Sequence, residues 1–356
     1  MNAYIYTLVA TLLLNYIYNI YRVKTSDKER ENSYSVVEKF LINNQTQQKD
    51  KMCDISKKDI LWVHMTYEKN SRWWQSFYSR TSDDLNQPYL YLTVKSIIDK
   101  CGNDFNVCII DDTSFVKLIP SWEIDLSLVG EPVKTNIREL AFAKLLYTYG
   151  GMLVPPSFLC FKSLYPTYSK YNENHGMFVG ELVNTFDNVD TYPVFPSSVI
   201  MGCQKSSDTM MNYINYLESN ISTDYVSQGQ VTGENSRWLY KNSTWGSVGI
   251  IPARELGAKD SDGKVILLEN LLGTTYISLP PNPLGIYIPS SQILNRTAYN
   301  WFARLSAIQA LESDTNIGKL LLINLGSTKI KKEPFKTARL SRAGINTIFL
   351  SCFIFF

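Results

Sequence analysis

The chain has 356 residues, of which 45% are hydrophobic and 19% charged, enough apolar material for a sizeable core and too little charge for a disordered polymer. Its 35 Lys and Arg against 33 Asp and Glu leave a formal charge of +2, which excludes a global field of the kind that gathers nucleic acid. The six cysteines, at 53, 101, 108, 160, 203 and 352, form no Cys-x-x-Cys pair and stand at no ligand spacing from His64 or His175, which argues against structural zinc and for a reducing compartment.

The opening, "MNAYIYTLVATLLLNYIYNIYRVK", carries no charged side chain before Arg22. About 20 such residues match the ~30 Å hydrocarbon layer. The tyrosines at 4, 6, 16, 18 and 21 gather near both ends, where amphipathic rings favour headgroups. Residues 1–22 are therefore expected to form a transmembrane anchor, uncleaved because the start lacks a basic stretch and the end lacks small residues. Arg22, Lys24, Lys28 and Arg30 follow the span and place the main body on the cytosolic side of a single-pass protein. The sequons at Asn44, Asn220, Asn242 and Asn295 are read as chance in an Asn- and Ser-rich chain. Residues 23–57, rich in charge and amides, suit a polar stalk.

A folded domain is expected over 58–328. "ILWVHM" (60–65) predicts a strand, "YLYLTVKSIIDKC" (89–101) a helix, and "FNVCIIDD" (105–112) a second strand ending on Asp111 and Asp112. That order predicts a parallel βαβ start. Trp73 and Trp74 beside Arg72 could stack a ring, but read first as core or interface aromatics.

"NIRELAFAKLLYTYGG" (136–151) spaces Phe142, Leu145, Leu146 and Tyr149 as one helical stripe, with Asn136 and Glu139 in a capping-box arrangement and Gly150 as the left-handed stop. "MLVPPSFLCF" (152–161) follows as an extended segment whose prolines suit a sheet edge or a kinked end. Strands are expected at 176–182, 197–203, 248–253 and 319–325, and helices at 207–218 and 299–312. The tail, 329–356, joins a basic stretch to "AGINTIFLSCFIFF". It suits either the membrane interface or a last strand packed on the core.

Over about 58–164 the sequence resembles the DXD-type, GT-A-fold sugar transferases of the capsular-polysaccharide and mannosyltransferase families. The likeness is carried by "DILWVHMTYEKNSRWW", by "FNVCIIDDTSF", and by "RELAFAKLLYTYGGMLVPPSFLCFKSL". It implies an α/β, Rossmann-like mixed sheet flanked by helices, here behind an N-terminal transmembrane helix. It also implies a nucleotide-sugar donor and a Mn²⁺ or Mg²⁺ ion on the two aspartates after the glycine pair. In this chain those positions are Pro155 and Ser157, the family's arginine falls on Phe142, and its first acid on Glu139. A proline carbonyl and a lone hydroxyl are poor ligands for a cation that must neutralise a diphosphate, so no cofactor is expected unless the protein is active.

If the site is active, Asp111, Asp112, His64 and Glu139 are the candidate nucleotide-sugar contacts, the two aspartates because they end a parallel strand. Asp111 and Asp112 could equally cap the next helix, His64 could be a hydrogen-bonded core group, and Glu181 could be a catalytic acid or a solvated residue. No phosphate-cradling Gly-rich loop, Gly-x-Ser-x-Gly elbow or His-Glu-x-x-His stands in the sequence. The combined expectation is a membrane-anchored protein with a retired transferase-like domain, partnered by the membrane and other structural proteins. Its Asn-, Tyr-, Lys- and Ile-rich composition suggests an AT-rich genome, and combined with the membrane anchor this gives the expectation of a minor structural protein of a large DNA virus, between an internal membrane and the capsid shell. An active glycosyltransferase is the alternative.

Overall fold

A computed structural model of the chain describes residues 58–66, 87–131, 133–185, 191–223 and 228–325. The expected anchor, stalk and basic tail lie outside the described residues, as do Arg72, Trp73 and Trp74. No helix among the described residues is long and apolar enough to cross a membrane.

The first three strands are β1 (Ile60–His64), β2 (Asn106–Ile110) and β3 (Gly151–Val154), and every residue in them is buried. Continuous burial needs cover on both faces, which explains why the sequence shows apolar runs here rather than alternation. β1 pairs in parallel with β2, Ile60 opposite Asn106 through His64 opposite Ile110, and in parallel with β3 on its other side. The sheet continues through β6 (Val194–Cys203), β5 (Met177–Val183) and β7 (Val248–Ile251) in the order β2-β1-β3-β6-β5-β7. β6 runs antiparallel to both neighbours, and a bulge breaks the β5 register between Val179 and Gly180. The result is a mixed α/β fold in which a six-stranded sheet is flanked by helices.

Successive strand residues point to opposite faces, and the core divides accordingly. On one side Trp62, Cys108, Ile110 and Leu153 meet α3 (Val133–Tyr149) and α5 (Asp208–Thr223) through Leu145, Leu146 and Tyr213. On the other, Leu61, Val63, Val107 and Ile109 meet α1 (Leu90–Cys101) and α4 (Tyr165–Asn174) through Val94, Ile97 and Tyr168. A third cluster packs β8 (Gly285–Tyr287), α7 (Leu268–Leu272), α9 (Ala307–Glu312) and α10 (Asn316–Leu325) around Leu159, Ile286 and Phe302.

Four expectations need correction. Residues 319–325 are helical, not a strand. Thr315 Oγ1 accepts from Gly318 N at 2.9 Å near the start of α10, and Ile317 and Leu321, one turn apart, are the buried pair. The expected helix over 299–312 is broken in two. A short 3₁₀ turn, Phe302–Arg304, ends at extended Leu305, and Ser306 opens α9 with Gln309 in a capping box. Asn136 caps nothing, because α3 begins at Val133 and Glu131 Oε2 accepts from Thr135 N at 3.2 Å. Finally, β3 is no edge strand, since it lies between β1 and β6.

The kinked end is found immediately beyond it. Phe158 N donates to Pro155 O at 3.0 Å, turning the chain through Pro155-Pro156-Ser157 into β4 (Phe158–Cys160), which pairs antiparallel with β8 in a separate two-stranded sheet. Just before β3, Gly150 (φ +75°) and Gly151 (φ +99°) carry the helix into the strand, and Trp62 Nε1 donates to Gly150 O at 3.0 Å.

Candidate functional site

A cleft of about 740 Å³ opens at the C-terminal ends of β1 and β3, where open α/β sheets receive ligands. His64 ends β1, Val154 and the two prolines follow β3, and α3 contributes Arg138, Glu139 and Phe142 to the wall. The far side is built from the β5–β6 hairpin and from α7.

Asp112 is the centre of the polar structure here. Its Oδ1 accepts from Arg138 Nε at 2.8 Å and its Oδ2 from Arg138 Nη2 at 2.7 Å. His64 Nε2 lies 2.9 Å from Oδ1, and an ionised carboxylate only accepts, so the imidazole is the donor. Burial opposes ionisation of Asp112, but the two Arg138 hydrogen bonds, and then His64, more than offset it and hold the carboxyl well below its usual range. His64 is pulled the other way: burial lowers its pKa more than Asp112 raises it. The ring is stacked on Phe115 at 5.5 Å and meets the edge of Phe142 at 4.9 Å. His64 is thus a neutral, hydrogen-bonded core group rather than an exposed base.

Asp111 turns away from this triad. Its Oδ1 accepts from Ser114 N at 2.9 Å and from Thr113 Oγ1 at 2.8 Å, while Ser114 Oγ accepts from Asp111 N, a complete capping box for the short turn after β2. Glu139, expected at a helix start, is instead buried in mid-helix. It accepts from Tyr213 Oη at 2.6 Å and Asn235 Nδ2 at 3.0 Å. Glu181 is also structural, accepting from Ala253 N at 2.9 Å.

Tyr213 is wholly buried and Glu139 nearly so, and removing the hydroxyl leaves the carboxylate one donor short with little water to replace it. Tyr213→Phe is expected to cost about 1.5–3 kcal/mol, the range for a hydrogen bond to a charged group, measured as a lower urea midpoint at unchanged slope.

Arg138 is the site residue that sequence reasoning misses. In the family register the arginine falls on Phe142, and Arg138 stands one helical turn earlier on the same face. The local signal is only "RE" in the helix; its partner Asp112 lies 26 residues back, beyond the reach of any periodic pattern.

The residues present do not fit the divalent ion that the resemblance implies. Both Asp112 oxygens are engaged, Asp111 Oδ1 is committed to its cap, Pro155 and Pro156 offer only carbonyls, and Ser157 is 1% exposed. No group of three or more His, Cys, Asp or Glu converges on a point among the described residues. The arginines of the cleft are also paired: Arg138 pairs with Asp112 and lies 3.7 Å from Glu131, and Arg296 pairs with Glu269. A diphosphate would find no uncommitted cation in that set.

No protein-family model matches the chain, and no curated protein matches it in sequence. Among solved structures it is similar to the galactosyltransferase LgtC in complex with donor and acceptor sugar analogs, at 9% identity over 55% of this chain and 74% of that one, with a TM-score of 0.29. An active-site mutant of LgtC matches at 10% identity over 55% and 73%, TM-score 0.29. The 4-diphosphocytidyl-2C-methyl-D-erythritol synthase of Anaerococcus prevotii matches at 8% over 56% and 88%, also at 0.29. Likenesses at this level carry no argument about activity.

Proposed function

We propose that the chain is a membrane-tethered protein whose sugar-transferase-like domain no longer performs metal-assisted transfer and serves a structural role, in contact with other proteins. The observation that carries this reading is the closed Asp112–Arg138–His64 triad. The acid best placed at the strand ends to meet a cation or a nucleotide is already satisfied by an internal guanidinium and imidazole. The membrane tether rests on residues 1–22, and the viral setting on that tether together with a composition that suggests an AT-rich genome. In that setting the protein is recovered in stoichiometric amount from purified particles; recovery only from infected-cell membranes would count against it.

The size of the cleft favours a second reading, an active transferase with a nucleotide-sugar donor, because 740 Å³ lies within the ordinary range for small-molecule sites. One experiment separates the two. The purified protein is incubated with a panel of nucleotide sugars, with and without Mn²⁺, and donor hydrolysis is followed. No Mn²⁺-dependent turnover is expected. Turnover that disappears in a folded Asp112→Asn variant would establish the enzyme and sink the structural reading.

A further inference from the structure

We propose that Cys101 and Cys160 form a latent cross-link, two thiols held in contact that close into a disulfide when the chain meets a disulfide oxidant such as oxidised glutathione. Cys101 is the last residue of α1 and Cys160 the last of β4. Their sulfurs lie 3.8 Å apart, and both residues are fully buried.

The contact is built, because α1 and β4 are fastened to each other on both sides of it. Cys160 N donates to Ser96 Oγ at 2.9 Å, and Thr93 Oγ1 donates to Pro156 O at 2.5 Å, so α1 grips β4 and the turn before it. The Cys160 thiol also lies 3.0 Å from Lys162 O. These bonds leave the sulfurs little room to separate. Cys108 and Cys203 belong to the core cluster on the opposite face of the sheet, so neither can exchange for a member of this pair without unfolding. Burial pushes both of those thiols well up, to where they are poor nucleophiles. Cys101 differs: the hydrogen bond from Cys160 favours its thiolate and makes it the attacking sulfur.

The step balances without further reactants. The Cys101 thiolate attacks one sulfur of glutathione disulfide and displaces a glutathione thiolate, leaving a mixed disulfide. The Cys160 thiol, passing its proton to the departing glutathione thiolate, then attacks the Cys101 sulfur and displaces the second glutathione. Two electrons pass from the protein thiols to the oxidant. Entry is through the end of α1, where Asn103 and Asp104 are exposed and Ser163 bonds Asp104; opening of that turn uncovers Cys101. The closed bond ties residue 101 to residue 160, a loop that includes β2, α3 and β3 and hence the floor of the cleft.

The test uses the full chain, reduced, desalted and incubated with glutathione disulfide without denaturant. It is then quenched by alkylation in denaturant and mapped by peptide mass spectrometry. The expected product is one intramolecular Cys101–Cys160 disulfide, reversed by dithiothreitol. It should raise Tm by roughly 5–15 °C, as closure of a loop of this length would give in a domain of this size. The Cys160→Ala variant should stop at glutathionylated Cys101 and show no such rise. If that variant fails to fold, the wild-type peptide map decides alone. Full alkylation of both cysteines after oxidation, a mixed disulfide that persists on wild-type Cys101, or a link from either residue to another cysteine would each overturn the proposal.

Discussion

Asp112→Ala is expected to destabilise the fold by about 3–5 kcal/mol, the range for removing one partner of a mostly buried ion pair. The side chains of Asp112 and Arg138 are 22% and 14% exposed, so the guanidinium left behind is only partly reached by water, and His64 loses its acceptor as well. Asp112→Asn should cost less, since it keeps an acceptor for one of the Arg138 donors. The same triad sets the response to acid. His64 has a folded pKa below its unfolded value near 6.5, so the unfolded chain takes up the proton first. Its contribution is intact above about pH 6.5 and falls as pH drops below it. Asp112, whose folded pKa is depressed, contributes fully above about pH 4 and loses that contribution further down. Urea midpoints between pH 4 and 8 should therefore be level at the top and decline below 6.5. His64→Gln, which keeps a donor for Asp112, should remove the upper part of the decline. A midpoint that rises on acidification would refute the neutral, desolvated histidine.

Gly151→Ala is expected to cost about 3–6 kcal/mol, combining left-handed strain with overpacking. The residue sits at φ +99°, and a Cβ there would come within 2.1 Å of Ile60 O. Relief requires β3 to move away from β1 at the centre of the sheet, beside wholly buried Trp62. Gly130→Ala is the control. Nothing lies within 4 Å of its Cβ position, and the change should fall within about 0.5 kcal/mol of wild type. Equal losses for the two variants would show that the fold does not depend on the close approach at Gly151.

The parts of the fold legible in the sequence are those set by local periodicity. The runs at 60–65 and 105–112 and the stripe through Leu145 and Leu146 each identify an element and its buried residues from neighbours alone. Where an apolar run is short, as in "KLLLINL", strand and helix cannot be separated by pattern, and the packing of Ile317 and Leu321 decides. The site divides in the same way. The capping role of Asp111 is readable because its partners are two and three residues away, in "DDTS". Glu139 reads wrongly as a cap because its partners, Tyr213 and Asn235, are 74 and 96 residues on. Arg138 is hidden for the same reason, its partner Asp112 lying 26 residues back.

The position of Ser157 decides which side chains the loop after β3 can hold. Its backbone carbonyl accepts from Ile288 N, tying the loop to the segment after β8, and the residue is sealed from solvent. An aspartate introduced there would place an anion in a dry interior, at a penalty of several kcal/mol. A carboxylate at this position would therefore need the surrounding scaffold to open first, so the burial of Ser157 restricts this loop to uncharged side chains.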